Sequence, residues 1–169
     1  VDPAQTDDDY PQKLFSPTLY TGSGGTQTIS GVGFQPDFTW IKGRASVQHM
    51  LMDSTRGTYA TDDTYYLSSD RNNAQDHTTD FHSFESDGFE LGGTGTGFNA
   101  SGHTFVSWNW RANGGTTSSG SGDLTSTHQV DPSGGFSIVK AVGDGGSGDK
   151  TISHGLSAAP TCIIAKNLD

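Results

Sequence analysis

Residues 104–111, Thr-Phe-Val-Ser-Trp-Asn-Trp-Arg, are the most strongly patterned stretch of the chain. Successive side chains of a strand point to opposite faces, which separates two sets: Val106, Trp108 and Trp110 on one face, and Phe105, Ser107 and Asn109 on the other. Large aromatic side chains that share a face usually fill the core of a β-sandwich. The pattern therefore predicts a strand whose tryptophan face is buried, and the alternative is an exposed platform for stacking a sugar ring.

Short strand patterns separated by glycine-rich turns fill the chain before this stretch. Strands are predicted at residues 19–21, 27–30, 37–42, 49–53, 65–68, 81–85 and 89–91. No apolar helical period persists for three turns. The fold class expected is all-β, an antiparallel β-sandwich or jelly roll. Its core is expected to contain Phe38, Trp40, Leu51, Phe84, Phe89, Leu91, Val106, Trp108 and Trp110.

The beginning of this pattern occurs twice. Residues 15–25 and residues 136–146 both begin Phe-Ser and end Gly-Gly, and Thr-Ile-Ser, Pro and a run ending in Lys follow each of them in the same order. The two Phe residues, Phe15 and Phe136, are 121 apart, and the two Lys residues, Lys42 and Lys166, are 124 apart. Repeats of a strand-rich module are typical of extended, multivalent surface proteins.

The repeat predicts a domain organisation. Residues 1–14 form an acidic arm or linker, 15–115 a β-sandwich module, 116–135 a Gly/Ser/Thr-rich linker, and 136–169 the start of a second, truncated copy. A long surface loop within one domain is the alternative for the linker. The second copy is too short to bury a core of its own and is not expected to be stable alone.

Composition limits the partners. The chain of 169 residues has a net charge of −10, and its nine Lys and Arg residues form no basic stripe, so no nucleic-acid partner is expected. No apolar run approaches the ~20 residues of a membrane-spanning helix, so no membrane insertion is expected. The single cysteine, Cys162, lies in an apolar run and is expected to be a buried small hydrophobe.

Asp53 and Arg56, in the turn Asp-Ser-Thr-Arg-Gly, are candidate carbohydrate-binding residues together with Trp40. A carboxylate and a guanidinium both bond vicinal hydroxyls, and an indole stacks on a sugar ring. The alternative, favoured here, is that Arg56 pairs with a local carboxylate and fixes the loop. Trp40 has the same core alternative as the other tryptophans.

A loop-rich acidic stretch raises the question of a cation. It contains Asp62, Asp63, Asp70, Asp76 and Asp80, with Asn72, Asn73 and His77. Calcium takes six to eight oxygen ligands, but the regular spacing of a calcium loop is absent and a solvated acidic loop is favoured. No metal site or cofactor is therefore predicted, with Ca²⁺ kept as the alternative.

The chain is expected not to be an enzyme, and no catalytic residues are assigned. Glycoside hydrolysis needs two carboxylates that flank the bond. Glu85 and Glu90 are the only glutamates, and they lie five residues apart across a predicted turn. The sequence also lacks a nucleophile elbow and a phosphate-binding loop.

A known family matches these strings. They are Tyr20-Thr21-Gly22, Gly33-Phe34-Gln35-Pro36-Asp37, Trp40-Ile41-Lys42, Asp53-Ser54-Thr55-Arg56-Gly57, Phe84-Glu85-Ser86-Asp87-Gly88-Phe89 and Val106-Ser107-Trp108-Asn109-Trp110-Arg111-Ala112. Residues 15–115 resemble modules of tail-fibre-like and other structural proteins of bacteriophages, many of them marine, and 122–169 resemble the start of the next copy. These modules are similar to the concanavalin A-like lectin jelly roll, and no binding residues are carried over from them.

The resemblance implies a virion structural protein, as a tail fibre, appendage or capsid decoration on the extracellular virion surface, acting in particle assembly and host-surface attachment. Its expected partners are other virion proteins, identical copies in a homo-oligomer and, as an open possibility, a host-surface glycan. The alternative is a carbohydrate-binding, lectin-like module of a secreted or cell-surface protein. The ligand, host, oligomeric state and position in the particle do not follow from the sequence.

Overall fold

A computed structural model describes residues 11–44, 47–93, 97–131 and 135–169. Most of the predicted acidic arm lies outside the described residues, as do three positions of the glycine-rich stretch between the predicted strands at 89–91 and 104–111. Within the described residues the structure has one short 3-10 helix, Pro11–Lys13, and these strands: β1 (Phe15–Thr21), β2 (Gln27–Ser30), β3 (Phe38–Gly43), β4 (His49–Asp53), β5 (Thr58–Ala60), β6 (Asp63–Ser68), β7 (Asp76–Thr78), β8 (Phe81–Glu85), β9 (Gly88–Leu91), β10 (Thr104–Trp110), β11 (Ser118–Gly120), β12 (Ser126–Asp131) and β13 (Phe136–Ala141).

The strands form an all-β, antiparallel β-sandwich, which confirms the predicted fold class. One sheet has the order β1-β10-β3-β4-β6-β5, with β7 also paired to β6, and a second sheet has the order β2-β9-β8. The core between them contains Tyr20, Ile29, Ile41, Met50, Met52, Phe81, Phe89, Leu91, Phe98 and Phe105. Burial raises the pKa of the Tyr20 phenol, which donates a hydrogen bond to the carbonyl of Phe98 at 2.7 Å.

The predicted core face of β10 is wrong. Residues directly opposite each other on neighbouring antiparallel strands share a face, and the pairs Trp108–Trp40 and Trp110–Phe38 both lie on the outer face, half-buried. The inner face instead carries Phe105, Ser107 and Asn109, exposed by 1%, 0% and 0%. Phe89, Leu91 and Leu51 are buried as predicted, although Leu51 also lies on the outer face beside Trp40.

Hydrogen bonds explain why polar residues occupy the inner face. The Asn109 amide donates to the carbonyl of Ser16 at 2.9 Å and to the Ser107 hydroxyl at 3.1 Å, and its oxygen accepts from the Thr39 hydroxyl at 3.0 Å. A buried polar group costs little once its partners are in place. Alternation identified the strand correctly, but both of its faces carry large side chains, so residue size did not identify the inward one.

A third sheet, β11-β12-β13, is built from the predicted linker and the start of the predicted second copy. One face of β12 and β13 packs on the sandwich: the Phe136 ring stacks on Trp110 with centroids 5.8 Å apart and also contacts Phe38 at 6.0 Å. Residues 116–131 therefore include two strands and are not wholly an extended linker.

Residues 142–169, which we call the C-terminal segment, form no helix or strand. Hydrogen bonds attach the segment at two places: Thr151 and Ser153 bond to the third sheet, and the Leu168 carbonyl accepts from the Gln75 N–H at 2.7 Å. Cys162 is exposed, so the expectation of a buried cysteine is wrong. The apolar run that contains Cys162 belongs to no sheet, so no neighbouring strands cover the cysteine.

Candidate functional site

A cleft of about 540 Å³ opens where the sandwich meets the third sheet. It lies between the chain leaving β10, at residues 111–114, and residues 33–35, and Lys13 and Asp131 complete its walls. Phe34 and Ala112 are nearly fully buried and provide an apolar floor. The side chains of Lys13, Gln35, Arg111, Asn113 and Asp131 supply polar groups of both kinds, donors and acceptors.

Asp37 fixes one wall of this cleft. Its carboxylate is fully buried and accepts hydrogen bonds from Ala112 N–H (2.8 Å), Gly114 N–H (3.1 Å), Gly115 N–H (2.9 Å) and the Ser54 hydroxyl (2.7 Å). Gly114 and Gly115 have φ of 59° and 81°, the region that favours glycine. Consecutive N–H groups that converge in this way form an anion-binding nest, and in this protein the nest holds the chain's own carboxylate.

Gln129 of β12 joins the third sheet to the same wall. Its side-chain oxygen accepts from Gly115 N–H at 3.0 Å, and its amide donates to the hydroxyls of Ser54 and Thr55, both at 2.9 Å. Gln129 is 1% exposed. Buried and fully bonded amides of this kind set a fixed geometry, so the cleft is formed before any ligand arrives.

Arg111 and Asp131 form an ion pair at the cleft. The Arg111 Nε donates to the Asp131 carboxylate at 2.9 Å, and the two side chains are 29% and 7% exposed. The terminal amino groups of Arg111 form no hydrogen bond to any other described residue. The buried carboxylate therefore holds the guanidinium in place at the cleft, where the Arg111 side chain is partly exposed.

The predicted pair Asp53 and Arg56 comes together in the structure as a buried ion pair. The two side chains are 8% and 4% exposed. Arg56 also donates to the carbonyl of Leu51 at 2.9 Å and to the side-chain oxygen of Gln75 at 3.4 Å. These bonds fix the turn after β4 and leave little of either charged group open to a ligand, which favours the structural alternative.

Trp40, the third predicted residue, does not join that pair. It lies on the outer face of the large sheet, with its ring 5.6 Å from that of Trp108 in an edge-to-face contact. Its indole nitrogen is buried and has no hydrogen-bond partner among the described residues. Trp40 is half-buried, so part of the ring remains exposed.

The acidic stretch at residues 62–80 is dispersed over β6, β7 and their loops. Asp63 pairs with His77 at 2.9 Å, and the His77 ring stacks on Tyr59 with centroids 3.7 Å apart. Asp70 accepts from the His49 N–H at 3.0 Å. Among the described residues no group of three or more His, Cys, Asp or Glu side chains is arranged to hold a metal ion.

The two glutamates have separate local partners. The Glu90 carboxylate accepts from the His82 ring nitrogen Nδ1 at 2.9 Å, and Glu85 accepts from the Ser83 hydroxyl at 2.6 Å. Both lie on the small sheet, β2-β9-β8, and neither lines the cleft. Their bonds serve the β8–β9 hairpin, whose turn falls at Ser86-Asp87 as the sequence predicted.

Two aspartates fasten corresponding parts of the repeat. Hydrogen bonds from the Gly31 and Gly33 N–H groups lower the pKa of Asp87, which thereby holds the chain after β2. In the second copy, the hydroxyl and N–H of Thr151 lower the pKa of Asp123. Both carboxylates are exposed. Asp87 bonds to residues just after the first Thr-Ile-Ser stretch, and Asp123 bonds to the first residue of the second Thr-Ile-Ser stretch.

A second surface of interest lies on β13 and the C-terminal segment. β13 ends the third sheet, and no described strand pairs with its outer edge. Large apolar side chains are exposed here: Val139 by 37%, Val142 by 63%, Ile152 by 44%, and Ile163 and Ile164 by 77% each. We use the name assembly surface for the β13 edge together with these exposed side chains.

The sequence did not point to the cleft residues Lys13, Arg111 and Asp131. Arg111 and Asp131 come from different sheets, and only the third sheet, which crosses the predicted linker, brings them together. The sequence carried one local signal: Pro36-Asp37 and Asn113-Gly114-Gly115 are residue types typical of tight turns.

Comparison with known proteins identifies a family without a known activity. The chain belongs to the family described as "Domain of unknown function (DUF7483)", whose sequence model matches residues 10–169. No curated protein and no solved structure is significantly similar to the chain. No helix in the described residues is long and apolar enough to cross a membrane.

Proposed function

We propose that this protein is a non-catalytic structural component of a bacteriophage particle, which assembles with identical copies and other particle proteins on the virion surface and contributes to host attachment. The observation that carries the proposal is the assembly surface, with Ile163 and Ile164 77% exposed. Burial of exposed apolar side chains of this size under a further polypeptide segment is energetically favourable. The resemblance to phage modules supplies the biological setting.

The repeat adds support from the edge of β13. The corresponding strand in the first copy, β1, is also a sheet edge, and it contains Pro17, a residue that discourages addition of a further strand. The residue 121 positions later is Ile138, so β13 has no such protection. Two otherwise similar edge strands therefore differ in the feature that controls strand addition.

Self-pairing of β13 is free of charge conflict. If two copies pair antiparallel about the midpoint between Ile138 and Val139, the single charge of the strand, Lys140, lies opposite Ser137. Phe136 then lies opposite Ala141. Such pairing extends a three-stranded sheet, which is marginal by itself, into a six-stranded one. We therefore expect the copy-to-copy contact to include β13.

The test is the molar mass of the full chain in solution, measured by sedimentation at increasing concentration. We expect reversible self-association that strengthens with salt, because salt screens repulsion between two chains of charge −10. Ile138→Pro should abolish it, and Leu19→Ser, which changes an 81% exposed apolar residue outside the assembly surface, is the control and should leave it unchanged. A chain that remains monomeric at millimolar concentration, or an Ile138→Pro variant that associates normally, would contradict β13-mediated assembly.

Location in the particle is a separate measurement. Imaging of intact phage particles should place copies of the chain at a fixed, symmetric position on the outside. Absence of the chain from purified particles would contradict the virion assignment even if β13 pairing were confirmed.

Carbohydrate binding is the second candidate function, and the polar cleft of about 540 Å³ favours it. Pockets of this size accommodate small ligands, and mixed donors and acceptors over an apolar floor suit a polyhydroxylated ring. A glycan array probed with multivalent protein tests it. Turnover of a polysaccharide, abolished by Glu85→Gln or Glu90→Gln, would move the protein to the enzyme class instead.

A further inference from the structure

We propose that the cleft binds a carboxylate-bearing saccharide, such as a uronic-acid unit of an acidic polysaccharide. This inference rests on the second candidate function, carbohydrate binding, and is independent of particle assembly. It names the class of sugar that the residues of the cleft select.

The first argument is local charge. Only nine Lys and Arg residues occur in this chain of net charge −10, and two of them, Lys13 and Arg111, line the same cleft. The net charge of the chain repels anions, whereas the two cations that line the cleft outnumber its one carboxylate, Asp131. A guanidinium with its outer amino groups available forms paired hydrogen bonds with the two oxygens of a carboxylate.

The second argument is the mixture of groups, which excludes a simple phosphate site. Asp131 is adjacent to the guanidinium and repels a doubly charged phosphate more than a singly charged carboxylate. Gln35 and Asn113 are exposed amides that both donate and accept, as sugar hydroxyls require. A ligand with one carboxylate and several hydroxyls matches this set of donors and acceptors more closely than inorganic phosphate, which carries more negative charge and at most two hydroxyls.

The third argument is that the site is preformed. The Asp37 carboxylate holds residues 112–115, Gln129 fastens Gly115, and Asp131 fixes Arg111. Phe34 and Ala112 give the floor an apolar surface that the C–H face of a sugar ring can contact. Pre-organisation lowers the entropic cost of binding a flexible glycan.

The experiment is an NMR titration of the full chain with trigalacturonic acid, with maltotriose as a neutral trisaccharide and glucose 6-phosphate as a phosphate-bearing sugar. We expect trigalacturonic acid to bind with Kd of about 1 mM, to shift the amide signals of residues 111–115, and to weaken as salt is added. Maltotriose and glucose 6-phosphate should bind at least about tenfold more weakly.

Variants locate the effect. Lys13→Gln should weaken trigalacturonic acid binding about fivefold or more, through loss of one charge-assisted contact, and Arg111→Lys should weaken it further while keeping the charge and the melting temperature. Lys140→Gln removes the same charge from an exposed position outside the cleft and should leave binding unchanged.

Each opposite result overturns the inference. Equal binding of maltotriose would reject the acidic selectivity but leave carbohydrate binding standing. Equal binding of glucose 6-phosphate would show a general anion site. Equal weakening by Lys13→Gln and Lys140→Gln, or signal shifts confined to other residues, would place the ligand elsewhere. No binding of any saccharide at 10-fold excess over ~1 mM would reject both the inference and the second candidate function.

Discussion

Residues 15–43 and residues 136–166 share a sequence pattern, yet the first region forms three strands and the second forms one. β1, β2 and β3 each pair with strands from later in the chain, and β3 is central, between β10 and β4. In the second region β13 pairs with β12, whereas the runs that correspond to β2 and β3 are unpaired. The difference shows that strand formation here depends on available partners more than on local propensity.

Where a strand of the second region has a partner strand, its pairing matches that of the corresponding strand in the first region. β13 pairs antiparallel with β12 along its whole length, as β1 does with β10, and Phe136 and Phe15 open the two strands. Both phenylalanines contact Trp110, at 5.8 Å and 4.9 Å. The two copies therefore converge on one tryptophan of the outer face, which is half-buried because the third sheet covers it.

The largest expected effect is loss of all structure from the second region in isolation. A peptide of residues 136–169 lacks β12 and the Trp110 contact, so it buries too little apolar surface to fold. Circular dichroism should show an unfolded spectrum and no cooperative thermal transition, whereas the full chain should melt cooperatively. A cooperative transition of the peptide would break the comparison, because partners would then not be needed.

The next prediction compares buried and exposed isoleucines. Ile41 in β3 is 0% exposed, and Ile41→Ala should reduce the free energy of unfolding by about 3–4 kcal/mol, from lost burial and the cavity left behind. Ile164→Ala, in the corresponding run, should change it by less than about 0.5 kcal/mol because that side chain is 77% exposed.

Urea unfolding of both variants below the concentration of self-association provides the measurement. Similar losses would mean that residues 161–166 are packed as tightly as β3 in the monomer. Above that concentration Ile164→Ala should weaken assembly, whereas Ile41→Ala should alter only stability. The apolar run would then serve the core in the first copy and self-association in the second.

A third prediction concerns Asp37, whose counterpart, Thr161, is exposed. Asp37→Asn replaces a carboxylate oxygen by an NH₂ group that faces N–H donors, so it should cost about 2–3 kcal/mol. The amide signals of Gly114 and Gly115 should then exchange faster with solvent. Thr161→Val is the control and should have no effect on either measurement; an equal effect would mean that the C-terminal segment has its own fixed polar network.

The fold class and most strands of the first module were predictable because alternation and turn chemistry are local, whereas β5, β7, β11 and β12 were not predicted. Gly88 has a requirement that is not local: it lies in β9, where a Cβ would clash with the carbonyl oxygen of Ile29 on the neighbouring strand β2. The inward face of β10 was not predictable, since the Asn109 network that fills it depends on Thr39, 70 residues away. The cleft was not predictable for the same reason, because Arg111 meets Asp131 only through the third sheet.

The smallest expected effect tests the two aspartates that fasten the copies, Asp87 and Asp123. Because both have pKa values below the ordinary one in the folded chain, each stabilises its contact above the ordinary aspartate pKa of about 3.9 and loses that contribution as pH falls through the lower folded value. Asp87→Asn should therefore lower the melting temperature slightly at pH 7, and the difference from the native chain should shrink below about pH 4.

Asp123→Asn should behave differently, because its partner Thr151 belongs to a segment outside the sheets. We expect faster hydrogen exchange at residues 151–155 at pH 7, with no change in the melting temperature of the sandwich, and the same loss of contrast below about pH 4. Ser126→Ala, which removes a hydroxyl bonded to Ser153 without removing a charge, should speed exchange equally at both pH values. The contrary result would be that Asp123→Asn lowers the melting temperature as much as Asp87→Asn does. The second region would then unfold together with the sandwich, and the sandwich would depend on the runs that form no strand.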